Sequence, residues 1–170
     1  NYYLKSLNKN DHLILHQKDI FNSNSIKKLI LKIKPSEIYY LATTHELPTT
    51  INNFYEVFSI NVHAFLNMLD IVKEYMNKTK IFYSSSSNVF SGTKVFPQTE
   101  NTKMKPTTLY GTAKLTAMNI IDMYRDNFKL FVCYGILYNH ESFLRKKNFL
   151  PMKIVDAAVN ISFGLQKKLY

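Results

Sequence analysis

The sequence has little glycine, little cysteine and no long apolar run. It contains four glycines and one cysteine, Cys133, among 170 residues. A single cysteine cannot form an internal disulfide, so nothing in the sequence indicates an oxidising compartment, and we expect a cytoplasmic protein. The apolar runs are shorter than the roughly 18 residues that a membrane-spanning helix needs, so no membrane association is expected.

Arginine is scarce as well, so lysine supplies nearly all of the positive charge. The 22 basic and 12 acidic side chains give a net charge of +10. The lysines are scattered along the chain, and the sequence has neither an RNA-binding signature nor the ligand spacing of a zinc finger. We therefore expect no nucleic-acid partner and no metal site, and a lysine-rich compositional bias explains the charge.

The two ends of the sequence also lack the usual marks of a whole protein. The chain starts at Asn1 without a methionine or a signal peptide, and it stops at Tyr170 without a tail. We expect it to be a fragment of a longer protein.

Short apolar runs alternate with helix-like segments along the whole chain. The pattern predicts strands at residues 12–16, 37–42, 80–83 and 130–137, and helices at residues 25–33, 54–76, 108–128 and 149–165. Asn24 or Ser25 is expected to cap the first helix. Alternation of this kind is typical of an α/β fold with a parallel sheet, in which ligands bind at the carboxyl ends of the strands.

The strongest chemical signal is the pair Tyr110 and Lys114, which lie four residues apart and share one helix face. An ammonium beside a phenol favours the phenolate, so such a tyrosine can move a proton near neutral pH. The alternative interpretation is an ordinary amphipathic helix. The serines at residues 84–87, which follow a predicted strand, favour the first interpretation because the three residue types together match the short-chain dehydrogenase arrangement.

Three longer runs resemble GDP-mannose 4,6-dehydratases. These are EIYYLA at residues 37–42, SSSSNVF at 84–90 followed by PQTE at 97–100, and above all GILYNHES at 135–142. The resemblance covers essentially the whole chain. It implies a Rossmann-like doubly wound parallel sheet, with residues 1–170 forming a partial NAD(P)-binding domain and the start of a substrate-binding region from about residue 139.

The resemblance also implies roles for individual residues. Ser86 would hold the 4-hydroxyl of the sugar, Tyr110 would be the base, and Asn139 and Lys153 would contact the nucleotide diphosphate of a GDP-mannose-like substrate. The cofactor, NADP or NAD, would meet the loops after two strands, the catalytic helix and a basic loop: Asp19, Ile20, Leu41, Ala42, Thr43, Tyr110, Lys114 and Arg145. For Arg145 and Lys153 alone, solvated surface charge is the alternative. The resemblance further implies a homodimer or homotetramer at full length.

Two departures from the family leave the reaction open. None of the four glycines forms the glycine-rich turn between a first strand and helix that approaches a pyrophosphate, so the fold is expected to lack that first strand and loop. Asn88 stands where the family has a catalytic glutamate, and an amide cannot take up a proton; Glu46 is a weak candidate to replace it. Besides a 4,6-dehydratase, the sequence therefore allows a nucleotide-sugar epimerase or reductase, or an inactive truncated homologue.

Overall fold

The computed structural model describes residues 13–44, 51–145, 147 and 149–169, and of residues 51–53 it describes the backbone alone. The chain forms two compact units, Asn1–Ile136 and Leu137–Tyr170. The described part contains three strands, β1 (Glu37–Tyr40), β2 (Lys80–Ser86) and β3 (Val132–Leu137), in the order β1-β2-β3. The helices are α1 (Ser23–Ile33), α2 (Ile51–Phe58), α3 (Ala64–Tyr75), α4 (Leu109–Phe128) and α5 (Leu150–Ser162).

The predicted parallel α/β sheet is confirmed. β1 and β2 pair in parallel, with Ile38 opposite Ile81 and Tyr40 opposite Tyr83. Alternate side chains of these strands enter the main core, where they pack with α1, α3 and α4; its members include Ile30, Tyr40, Phe65, Leu69, Ile81, Tyr83, Ala117 and Ile121. On the other side of the sheet Tyr39 is 64% exposed and Cys133 is also exposed.

Several predicted boundaries were wrong. The strand predicted at residues 12–16 is not formed where the structure describes it: residues 13–19 have no regular structure, and Ile14 and Leu15 are exposed instead of paired. The cap of α1 is neither Asn24 nor Ser25, because the Oδ1 atom of Asn22 accepts the hydrogen bond from the Ser25 amide at 2.9 Å. A side chain three residues ahead of that amide has the reach for the bond.

The single helix predicted at residues 54–76 is interrupted. A π-helical turn, Ser59–His63, separates α2 from α3, and the amide of Ala64 donates to the carbonyl of Ser59. Such a turn inserts one extra residue into the helix, which hydrophobic periodicity cannot reveal. The interruption contacts both strands, because the carbonyls of Ile60 and Asn61 accept hydrogen bonds from the hydroxyls of Tyr40 in β1 and Tyr83 in β2.

Candidate functional site

The end of β2 carries the hydroxyl that the sequence singled out. β2 runs into the serines, as predicted, and ends at Ser86, and a short 3₁₀ helix, Ser87–Phe90, follows it. The Oγ atom of Ser86 accepts hydrogen bonds from the backbone amide and the side-chain amide of Asn88, each at 3.2 Å. These two bonds occupy the lone pairs of the hydroxyl oxygen, so the Ser86 proton can be donated to another oxygen.

The start of α4 lies against the same turn. The hydroxyl of Thr108 caps the helix by accepting from the Gly111 amide at 3.0 Å. A Cβ atom added at Gly111 would lie 2.6 Å from the backbone carbonyl oxygen of Asn88, which only glycine avoids. The glycine next to Tyr110 therefore allows α4 to approach Asn88, and Tyr110 itself is half-buried at this contact.

Lys114 reaches from α4 into the sheet. Its side chain is completely buried, and its ammonium donates to the carbonyl oxygen of Ser84 at 2.7 Å. The ammonium lies 4.6 Å from the ring centre of Tyr83 and 5.5 Å from that of Tyr110. Burial lowers the pKa of Lys114 from 10.5 to about 7, so its charge changes within the physiological range.

Two buried residues at this place were missed by the sequence reasoning. Asn61, in the π-helical turn, is 0% exposed; its side chain accepts from the Thr43 hydroxyl and donates to the Val57 carbonyl, both at 2.9 Å. Tyr83, also fully buried, donates its hydroxyl to the Asn61 carbonyl at 2.9 Å. Asn61 occupies a position on the apolar helix face between Phe58 and Phe65, and a polar residue there was the available signal.

Five of the eight residues predicted to line the cofactor lie on two loops of the first unit. Asp19 precedes α1, where its carboxylate accepts from the Phe21 amide at 2.9 Å, and Ile20 packs against the main core. After β1, Leu41 is 60% exposed, Ala42 packs against the core and Thr43 is bonded to Asn61. Residues 41–43 lie at the carboxyl end of β1, and ligands bind at the carboxyl ends of the strands in this type of fold.

The remaining predicted residues belong to the second unit. Asn139 follows β3 and is exposed, and Lys153 is exposed on α5. The guanidinium of Arg145 lies 3.9 Å from the ring centre of Phe149, and its Nε atom lies 3.4 Å from the carboxylate of Glu141. The structure thus places Asn139 and Lys153 on the surface of this unit and holds Arg145 between a ring and a carboxylate.

Three further expectations concern Glu46, metal binding and membrane spans. Glu46, the suggested replacement for the missing glutamate, lies outside the described residues. Within those residues, no group of three or more histidine, cysteine, aspartate or glutamate side chains is arranged to hold a metal ion. No helix in the same part of the chain is long and apolar enough to cross a membrane.

Comparison with solved structures defines the class of fold. A dTDP-glucose 4,6-dehydratase from Bacillus anthracis, solved with NAD, matches 99% of this chain and 50% of its own at a TM-score of 0.81 and 22% identity. RMD from Pseudomonas aeruginosa, solved with NADPH, matches 97% of this chain and 58% of its own at a TM-score of 0.76 and 22% identity. The fold is that of the Rossmann-like α/β proteins.

Sequence comparison identifies the family within this class of fold. The family model for GDP-mannose 4,6 dehydratase matches residues 2–170, and the chain belongs to that family. A GDP-mannose 4,6-dehydratase from Yersinia enterocolitica is 31% identical over 163 residues, which are 95% of this chain and 44% of the relative. The human GDP-mannose 4,6 dehydratase is 33% identical over 152 residues, 88% of this chain and 41% of the relative. The chain therefore spans less than half the length of these curated relatives.

Proposed function

We propose that the full-length protein is an NAD(P)-dependent lyase that converts GDP-mannose to GDP-4-keto-6-deoxymannose. Membership of the dehydratase family supports the substrate, and the arrangement around Lys114 carries the proposal for the chemistry. Lys114 contacts both β2 and the ring of Tyr110. It therefore links Tyr110, the proposed base, to the strand that ends in Ser86. Ser86 donates to the sugar's O4 while Tyr110 removes the O4 proton.

The described residues fit part of a nicotinamide dinucleotide. Bound NAD(P) supplies a hydride acceptor for C4 of the sugar. The exposed Leu41 and the hydroxyl of Thr43 offer an apolar and a polar contact at the carboxyl end of β1. The Lys114 ammonium has three protons, of which one goes to Ser84, and the others suit ribose hydroxyls. The pyrophosphate has no matching glycine turn among the four glycines of this sequence.

The activity is tested with the full-length gene product, GDP-mannose and NADP. We expect a 4-keto-6-deoxy sugar nucleotide, identified by mass spectrometry, and formation of this product at least about 10²-fold more slowly by Tyr110→Phe. If GDP-mannose is unchanged while another nucleotide sugar is consumed, the substrate assignment is wrong.

Asn88 supports a second candidate, an epimerase or reductase that uses the C4 hydride step without elimination. Its side-chain amide donates to Ser86 and cannot accept the proton that elimination releases at C5. Asn88→Glu separates the two candidates, with Asn88→Gln as the control of matched size. Dehydration by the native protein favours the first candidate, and dehydration that appears only in Asn88→Glu favours the second.

A further inference from the structure

Tyr83 is the aromatic ring closest to the Lys114 ammonium among the contacts of that group. The distance from the ammonium to its ring centre is 4.6 Å, compared with 5.5 Å for Tyr110. The ring and the Ser84 carbonyl come from consecutive residues of β2, so one strand supplies both contacts. A cation at this distance from an aromatic ring is attracted by the negative charge of the ring face, most strongly where water is excluded.

The ring of Tyr83 is itself held in place. Its hydroxyl donates to the Asn61 carbonyl, which belongs to the π-helical turn, and its ring packs on Phe65 with centres 4.4 Å apart. Burial raises the pKa of the Tyr83 phenol, so Tyr83 remains neutral and acts on Lys114 through its ring face and not as a counter-ion. Among the described residues, the titratable groups whose rings face Lys114 are Tyr83 from β2 and Tyr110 from its own helix.

We propose that Tyr83 is a positioning residue for Lys114. The π-helical turn anchors the Tyr83 hydroxyl, and the Tyr83 ring and the neighbouring Ser84 carbonyl hold the Lys114 ammonium beside the ring of Tyr110. This inference rests on the proposed function, since that function gives Lys114 its task. The pKa of Lys114 responds to this contact directly, so the contact is measured independently of catalysis.

The test compares phenylalanine with pentafluorophenylalanine at position 83 in the full-length gene product. The two side chains have similar shapes, but fluorination reverses the electrostatic potential of the ring face from negative to positive. The pKa of Lys114 is followed by carbon-13 NMR of labelled lysine side chains, and the Lys114 signal is identified by its loss in Lys114→Met. We expect the fluorinated ring to lower the pKa of Lys114 by about 0.5 to 1 unit relative to Tyr83→Phe.

Tyr40 provides a matched control. It is also buried, its hydroxyl donates to the Ile60 carbonyl in the same turn, and its ring stacks on Tyr83 with centres 5.8 Å apart. The same pair of replacements at Tyr40 should leave the pKa of Lys114 unchanged. Equal pKa values for the two rings at position 83, or an equal shift from position 40, would overturn the proposal. A missing dehydratase activity with the expected pKa shift would instead count against the proposed function alone.

Discussion

The region around β2 and the start of α4 differs from the region that follows β3 in how its predicted functional side chains are held. In the first, Lys114 is fully buried and bonded to Ser84, and Gly111 fits closely against Asn88. In the second, Asn139 and Lys153 are exposed. The side chains of the first region are held by packing within the chain, whereas Asn139 and Lys153 of the second lie at a surface.

This difference has an energetic basis. Burying an amine lowers the stability of its charged form, so a fully buried lysine needs a reason other than folding to be there. An exposed lysine has no such cost and needs no such reason. The buried lysine is therefore the stronger indication of function, and variants of the two regions should behave differently.

Lys114→Met should have the largest effect of these variants, and the property most affected should be activity and not stability. Loss of the ammonium beside Tyr110 removes a group from proton transfer, for which we expect a decrease in kcat of about 10²–10⁴-fold. The fold should survive, because methionine fills the space without a buried charge. Steady-state kinetics and thermal unfolding measure the two effects. The exposed Lys80, replaced in Lys80→Met, is the control, and equal losses in both variants would contradict the account.

The pH dependence of unfolding should also distinguish Lys114. Its pKa is about 7 in the folded chain and 10.5 in the unfolded chain, so between these values the unfolded state binds more protons. The stability of the native protein should therefore rise with pH in this window, relative to Lys114→Met, by about 1.4 kcal/mol per pH unit. Urea unfolding at about pH 7 and pH 9 measures the change. If the free energy of unfolding changes equally with pH in the two proteins, Lys114 is not buried in the folded chain.

Gly111→Ala tests the close approach of α4 to the turn after β2. The new Cβ would meet the Asn88 carbonyl oxygen at 2.6 Å, so the helix start must move. We expect a loss of about 1–3 kcal/mol in stability, despite the better helix propensity of alanine. Thr112→Ala, at the exposed neighbouring position, should be nearly neutral. A stabilised Gly111→Ala protein would show that the helix and the turn do not pack as described.

Lys153→Met should have the smallest effect. If this exposed side chain contacts the substrate diphosphate, its removal raises KM several-fold and leaves kcat unchanged, because a uniform binding contribution is lost. Lys167→Met, also exposed in the second unit, serves as the control. An unchanged KM would show that Lys153 does not contribute to substrate binding and is a solvated surface charge.

The sequence predicted the parallel α/β architecture well because strands and helices leave periodic apolar patterns. It failed where the periodicity carried no information. The π-helical turn at Ser59–His63 adds one residue to the helix, and residues 13–16 of the strand predicted at 12–16 have no regular structure in the described part of the chain.

For the candidate site, the sequence proposed residue types, and the structure supplies their burial and contacts. Tyr110 and Lys114 followed from their spacing, but the complete burial of Lys114 depends on the packing of α4 against β2. Tyr83 resembled any other apolar strand residue, and its contact with Lys114 is a product of tertiary structure.

The most direct test of the central claim is the turnover of GDP-mannose by Tyr110→Phe beside the native full-length protein, with NADP present. Phenylalanine preserves the ring near Lys114 and removes only the hydroxyl that would carry the proton. We expect the native protein to form the 4-keto-6-deoxy product and Tyr110→Phe, with unchanged stability and substrate binding, to lose at least about 10²-fold in kcat. A native-like kcat in Tyr110→Phe would contradict this claim.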